Sequence, residues 1–328
     1  MTMAPPTKVI TEQLRANPRL LYFGTYVPPF WTDEFGSARI RFFPIAEHTM
    51  VGAAVGAAIA GLHPIVHLNR AAFAFVAMDQ IVNQAAKLRY MSGEQFSIGI
   101  TLRAMTRGGD NLGAQHEQSP YGMFAHVPGI KVVVPSTIEE AAGLYLTAFD
   151  DPNPVFVFEA PQLYEWWDRS DGVIEPIPFG AARVWRRGAD VTIVAIGVMV
   201  REVLTAADRL AQQNISCAVI DPRTLVPLDM ETIAASVRTT GRLVVVDEAP
   251  PTASMAAEII AAICDRPELY GALAAMPVRV CGAALPMPFS PALQADAIPN
   301  ADRIVQVVER LVSGSSSQPV AENDASCG

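Results

Sequence analysis

The chain has 328 residues, 51% of them hydrophobic and 17% charged, and carries a formal charge of −9 at pH 7. The length predicts two domains, and the apolar share supports a buried core in each, which excludes a disordered chain. The arginines are scattered with no basic cluster, which argues against nucleic acid and anionic membrane surfaces as partners. Cys217, Cys264, Cys281 and Cys327 are dispersed without a CxxC pair, as expected of reduced thiols in a cytoplasm rather than of a disulfide frame or zinc site. The N-terminal MTMAPPTK lacks the apolar core of a signal peptide.

In chain order, Thr7 to Asn17 reads as a helix closed by Pro18, and Leu20 to Phe23 as an apolar strand ending at Gly24. Thr25 to Ser37, with two prolines and no periodicity, reads as a loop. Arg39 to Phe43 is the next strand, and PIAEHTMVGAAVGAAIAG, from Pro44 to Gly61, is the helix after it. Met50 to Leu68 is the one apolar run long enough to suggest a membrane. It carries His63, Pro64 and His67, and is mostly Ala and Gly, so it reads as a buried helix followed by a strand. Phe73 to Met91 has apolar residues at helical spacing, Phe96 to Leu102 is a strand, and Arg103 to Gln118 is a polar loop. Lys131 to Val134 and Pro154 to Phe158 are strands around a helix, Thr137 to Asp150, with a capping box at Thr137 and Glu140. After a connecting stretch rich in Trp and Pro, strands at 191–196, 217–220, 243–246 and 277–280 alternate with helices at 200–213, 230–239, 254–264 and 301–312. Continuously apolar strands alternating with helices predict parallel sheets covered on both faces. The expected organisation is α/β, with two doubly wound domains at 1–160 and 185–312, a linker at 161–184 and a disordered tail at 313–328.

Ligands collect at the carboxyl ends of such strands. Three loops leave such ends in the first half. They carry Glu47, then Arg70 and Phe73, then Arg107, Gln115, His116 and Gln118. After Glu47 no charged residue follows until Arg70. On these residues alone, Glu47 fits both a carboxylate favoured by a helix N-terminus and a working group in a dry pocket. His116 lies in a polar loop, where a histidine is better placed for chemistry than on an apolar face, while His63 and His67 fit satisfied core groups. Gly108 to Asn111 fits either an anion-binding turn or a solvated one. GxGxxG, GxxxxGK[ST], GxSxG and HExxH are absent. The residues by themselves support an α/β enzyme with its site at the edge of the first sheet.

Longer motifs carry a resemblance. PIAEHTMVGAAVGAAIAGLHPIV, AMDQIVNQAAKLRYMSG, GAQHEQS, AHVPGIKVVVPST and DPNPVFVFE, then VIDPRTLVPLDMETI, TGRLVVVDEAP and ALPMPFSPALQADAIP, occur in that order. This series resembles the beta subunits of thiamine-diphosphate-dependent 2-oxo acid dehydrogenases from about Lys8 to Leu311, with the acetoin branch nearest. The resemblance implies a transketolase-like pyrimidine-binding domain followed by a transketolase C-terminal domain. It implies that Glu47 hydrogen-bonds the pyrimidine N1′ of thiamine diphosphate and favours the tautomer that deprotonates the thiazolium carbon. It also implies that Phe73 packs on the pyrimidine, with Val76 nearby, and that His116 serves substrate binding or acyl transfer. Arg70, Arg107, Gln115 and Gln118 are candidate substrate contacts, the arginines through a carboxylate or other anion.

GDG with its downstream Asn, which completes the Mg²⁺ and diphosphate site of thiamine enzymes, is absent. The resemblance accounts for this through a separate alpha subunit that binds Mg²⁺, in an α₂β₂ heterotetramer, with a lipoyl acyltransferase as acceptor. Departures from the family pattern are Thr25 for an acid, His67 for a strand acid, Ala72 for an acid or amide, and Glu117 for serine. Three functions are carried forward: cleavage or decarboxylation of a 2-oxo acid or acyloin with acyl transfer to a lipoyl domain, a carboligase without a lipoyl partner, and a non-catalytic supporting subunit.

Overall fold

The computed structural model describes residues 3–106, 109–168 and 172–314. Arg107 and Gly108, and the tail from 315 onward, lie outside the described residues. Strands are numbered along the chain: β1 Leu20–Gly24, β2 Ile40–Phe42, β3 His63–Arg70, β4 Thr101–Met105, β5 Lys131–Val133, β6 Val155–Glu159, β7 Arg183–Arg186, β8 Val191–Ala195, β9 Cys217–Asp221, β10 Thr224–Val226, β11 Leu243–Asp247 and β12 Val278–Cys281. Two compact units form. The first takes the described residues of 1–106, 119–179 and 224–227, and the second those of 107–118, 180–223 and 228–328.

In the first unit the strand order is β10-β5-β6-β4-β3-β1-β2, parallel throughout except for β10 against β5. The apolar runs LLYFG and VFVFE are buried along their whole length, as expected of strands covered on both faces. The helices Pro5–Ala16 and Ile138–Ala148 pack together over a core that includes Val9, Leu14, Tyr22, Ile65, Tyr145 and Val157. Thr137 caps the second of these by accepting from the Glu140 amide at 3.1 Å. The Glu140 carboxylate accepts instead from Ser136 Oγ at 2.8 Å.

In the second unit the order is β12-β11-β8-β9-β7, parallel except for β7 against β9. Asp229, Ser254 and Asn300 each accept from a backbone N–H in the first turn of their helix, which sets where Met230–Thr240, Met255–Cys264 and Ala301–Ser313 begin. The stretch read as a connection contains a short helix, Gln162–Glu165, and the start of β7.

Three of the expected elements differ in the structure. The loop at 25–37 contains a helix, Pro29–Phe35, with proline in its first turn, where the missing N–H costs nothing. Trp31 anchors it at 1% exposure, edge-on to Tyr22 and donating from Nε1 to Thr11 Oγ1 at 2.8 Å. The expected helix from Phe73 to Met91 is broken into a 3₁₀ segment Ala71–Ala77, a π segment Gln80–Ala85 and a short α segment Leu88–Met91. The buried positions explain this. Ala71, Ala74 and Ala77 are fully buried at a spacing of three, which suits a 3₁₀ turn, and Ala77, Ile81 and Ala85 at a spacing of four, met by a wider turn. Lastly, β4 begins at Thr101 rather than Phe96 and runs through Arg103 to Met105, because that arginine is paired inside the unit.

Candidate active site

Glu47 is the first residue of the helix Glu47–Ile59, which packs against β3, β1 and the Ala71–Ala77 segment. It follows β2 by four residues, so the parallel strand delivers it to the carboxyl edge of the sheet. Small residues behind it, Gly52, Ala54 and Ala58, let the helix lie close to its neighbours; at Gly52 an added Cβ would come within 3.1 Å of Gln80 Oε1. Glu47 itself is 5% exposed. No described residue donates a hydrogen bond to its carboxylate and none forms an ion pair with it.

Phe73 sits half-buried in the Ala71–Ala77 segment, against which the Glu47 helix packs, so the structure brings these two predicted residues onto adjoining elements. Val76, on the same segment, is 60% exposed and turns away from the core. Arg70 ends β3, half-buried, just after Asn69, whose φ of 57° bends the strand and shifts its register against β4. Gln115, His116 and Gln118 belong to the second unit, the first two on a turn and Gln118 just after it. There Gln115 is exposed, His116 is half-buried and donates its amide to Gly113 O at 3.1 Å, and Gln118 donates to Ala114 O at 3.2 Å. Among the described residues no group of three or more His, Cys, Asp or Glu could hold a metal ion. No helix of the described residues is long and apolar enough to cross a membrane.

The motifs did not reveal a polar network inside the first unit. His67 on β3 and Arg103 on β4 are register partners, and Arg103 pairs in turn with Val157 of β6, two residues before Glu159. Side chains two apart share a face, so Tyr22, His67, Arg103 and Glu159 line one side of the sheet. Arg103 Nη2 donates to Glu159 Oε2 at 2.7 Å and to Tyr164 Oη at 3.0 Å. Tyr164 donates to the same carboxylate at 2.7 Å, and Tyr145 closes its other oxygen. Burial opposes the Arg103 charge, but Glu159 and the tyrosines outweigh it and hold the guanidinium protonated well above its usual range.

Beside it, His67 Nδ1 meets Tyr22 Oη at 2.9 Å. Burial, aided by the Arg103 charge, pushes His67 down to about 3. His63 is bonded to Thr101 Oγ1 at 3.0 Å and lies at about 4 through burial. Both are therefore neutral core groups, the blander of the readings open for them.

The chain is similar to the transketolase pyrimidine-binding domain over residues 10–165 and to the transketolase C-terminal domain over residues 180–304. It is 43% identical over 276 residues to the beta subunit of acetoin:2,6-dichlorophenolindophenol oxidoreductase of Cupriavidus necator, a match covering 84% of this chain and 81% of that one. It is 41% identical over 291 residues to the pyruvate dehydrogenase E1 component subunit beta of Rickettsia conorii, covering 88% and 89%. The chain belongs to the beta-subunit family of thiamine-diphosphate-dependent 2-oxo acid and acetoin dehydrogenases. A split-gene transketolase solved as an inactive beta4 tetramer shares the fold, with a TM-score of 0.75 at 23% identity over 94% of this chain and 97% of that one.

Of the four departures from the pattern of the resemblance, three have a hydrogen-bond partner within the chain. Thr25, where the resemblance leads one to expect an acid, accepts from Asn69 Nδ2, and so joins the ends of β1 and β3. His67, where the resemblance leads one to expect a strand acid, takes Tyr22 as its partner. Ala72 is buried at 8% exposure, where a longer polar side chain would need a partner of its own. Glu117 is also buried, at 2%, and is bonded to backbone amides.

Proposed function

We propose that this chain is the beta half of a heteromeric active site that cleaves or decarboxylates a 2-oxo acid or acyloin, with thiamine diphosphate bound at Glu47. The observation that carries this reading is the Glu47 carboxylate, 5% exposed and without a hydrogen-bond partner among the described residues. A carboxylate in a nearly buried residue that its own chain leaves unbonded is free to accept from a ligand, so the residues present fit the aminopyrimidine of the cofactor.

When bound, thiamine diphosphate supplies the carbanion chemistry. Glu47 would hold a proton at the pyrimidine N1′, the Gly- and Ala-rich helix behind it would exclude water, and Phe73 would pack on the ring. His116, Gln115 and Gln118 would serve the substrate and the departing acyl group, and Arg70 and Arg107 are candidates for its carboxylate. The diphosphate and its Mg²⁺ would belong to an alpha subunit in an α₂β₂ assembly, with a lipoyl acyltransferase receiving the acyl group. Cys217, Cys264 and Cys281 are unpaired thiols, which supports a cytoplasmic location.

The test is to produce the chain with its alpha partner and measure thiamine diphosphate binding and 2-oxo acid turnover. Binding with turnover is expected. Glu47→Gln should lower turnover by at least about 100-fold while the assembly still forms, since general acid–base steps contribute on the order of 100-fold or more. A wild-type complex that binds no cofactor would overturn the reading, and unchanged turnover in Glu47→Gln would overturn the role of Glu47.

A further inference from the structure

The loop at 109–118 folds around an internal anion. Glu117 is 2% exposed, and its carboxylate accepts from the amides of Asp110 at 2.6 Å, Leu112 at 3.2 Å and Gly113 at 3.1 Å. Successive N–H groups aimed at one point form an anion-binding nest, and here the chain fills it itself. A fourth donor comes from far along the sequence. Gln294, on the helix Pro291–Ala297 and also 2% exposed, donates from Nε2 to the same carboxylate. It accepts from the Gly109 amide at 3.0 Å and donates to Pro288 O at 2.7 Å. Gly113 completes the fit. Its φ is +76°, and any Cβ there would lie 2.5 Å from the ring of Phe289.

We infer that Glu117 is a positioning residue whose carboxylate holds this loop, and with it His116, in a fixed conformation before any ligand arrives. His116 immediately precedes Glu117, and its own amide closes on Gly113 O at 3.1 Å, so its backbone is tied to the nest. Serine, the usual residue at this position in the resemblance described above, has one neutral hydroxyl with two acceptor sites and cannot satisfy four donors. What His116 does for the reaction rests on the proposed function; the anchoring does not.

The experiment uses the complex with the alpha partner and two variants, Glu117→Gln and Glu117→Ser. Glutamine keeps the size but turns an NH₂ toward the Gln294 and Gly113 donors; serine removes the carboxylate without placing an NH₂ there, so it tests the same contact should glutamine disturb folding. Hydrogen exchange of the peptide spanning 109–118 is measured without cofactor, alongside kcat and the Kd for thiamine diphosphate. We expect exchange in the loop to rise at least about tenfold, since local opening is governed by such contacts. We expect kcat to fall about 10- to 100-fold, as small misplacements of reacting groups do, with the cofactor Kd unchanged. Unchanged loop exchange in both variants overturns the inference, as does a loosened loop with unchanged kcat. If the wild-type complex neither binds thiamine diphosphate nor turns over, the proposed function fails, and the exchange comparison still decides whether Glu117 holds the loop.

Discussion

Glu47 and Glu159 are both carboxylates inside the first unit, 5% and 0% exposed, yet the chain treats them differently. Glu159 is enclosed by Arg103, Tyr145 and Tyr164, so its lone pairs and its charge are answered from within. Glu47 heads a helix of Ala, Gly and Val and receives no such answer from the described residues. Glu47 therefore keeps its lone pairs for solvent or for a ligand that enters its pocket. The supply of partners, more than burial, separates a structural acid from one positioned for a ligand.

The sharpest way to break that comparison is to neutralise each acid in turn and follow stability. Glu159→Gln leaves Arg103 as an uncompensated buried charge and should cost about 3–5 kcal/mol. Glu47→Gln removes a carboxylate with no partner in the chain and should cost less than about 1 kcal/mol, or stabilise. Denaturant unfolding of both variants in the assembled enzyme, without cofactor, reads the difference directly. Equal losses would mean that Glu47 is held by the protein after all.

A second test uses pH. Folding pushes His67 down to about 3 and His63 to about 4, below the ordinary histidine value of about 6.5. Above pH 6.5 both are neutral in either state and cost nothing. As the pH falls from there, the unfolded chain takes up protons that the folded chain refuses, so stability declines until the folded values are reached. His67→Gln keeps a partner for Tyr22 and removes one such proton. The loss of stability between pH 6.5 and 5 should become shallower by up to about 1.4 kcal/mol per pH unit. Denaturation midpoints across that range check it, and an unchanged slope would show that His67 is protonated in the fold.

Glu47 was legible because one acid heads an uncharged run that extends to Arg70, and because the longer motifs match a known series. The strands were legible where they are apolar throughout, as in LLYFG and VFVFE. The network around Glu159 was not. Arg103 and Glu159 each stand at the polar end of an apolar run, where a charge reads as solvated, and only the sheet register puts them on one face. The same holds for Glu117, whose partners are backbone amides and a glutamine 177 residues away. The stretch from Phe73 to Met91 misled for a different reason. A spacing of three followed by a spacing of four averages to that of an ordinary α-helix, so periodicity alone cannot see the break. Trp31 was hidden by its prolines, which read as loop and in fact start a helix.

The smallest expected effect lies at the rebuilt rim, where Asn69 and Thr25 join two strand ends. Asn69 has two reasons to be there: its φ of 57° suits a residue that tolerates the left-handed region, and its side chain bonds Thr25. Asn69→Gly keeps the backbone and loses the bond, while Asn69→Ala loses both. If the backbone dominates, alanine should cost about 1–2 kcal/mol and glycine clearly less. If the bond dominates, the two should be alike, and Thr25→Ala should match them at about 1 kcal/mol. The first pattern would place this departure with the structural parts of the fold, beside Glu159. The second would mean that the polar rim near Glu47 was rebuilt as a pair, and a change in 2-oxo acid preference in Thr25→Ala would then tie that pair to the substrate.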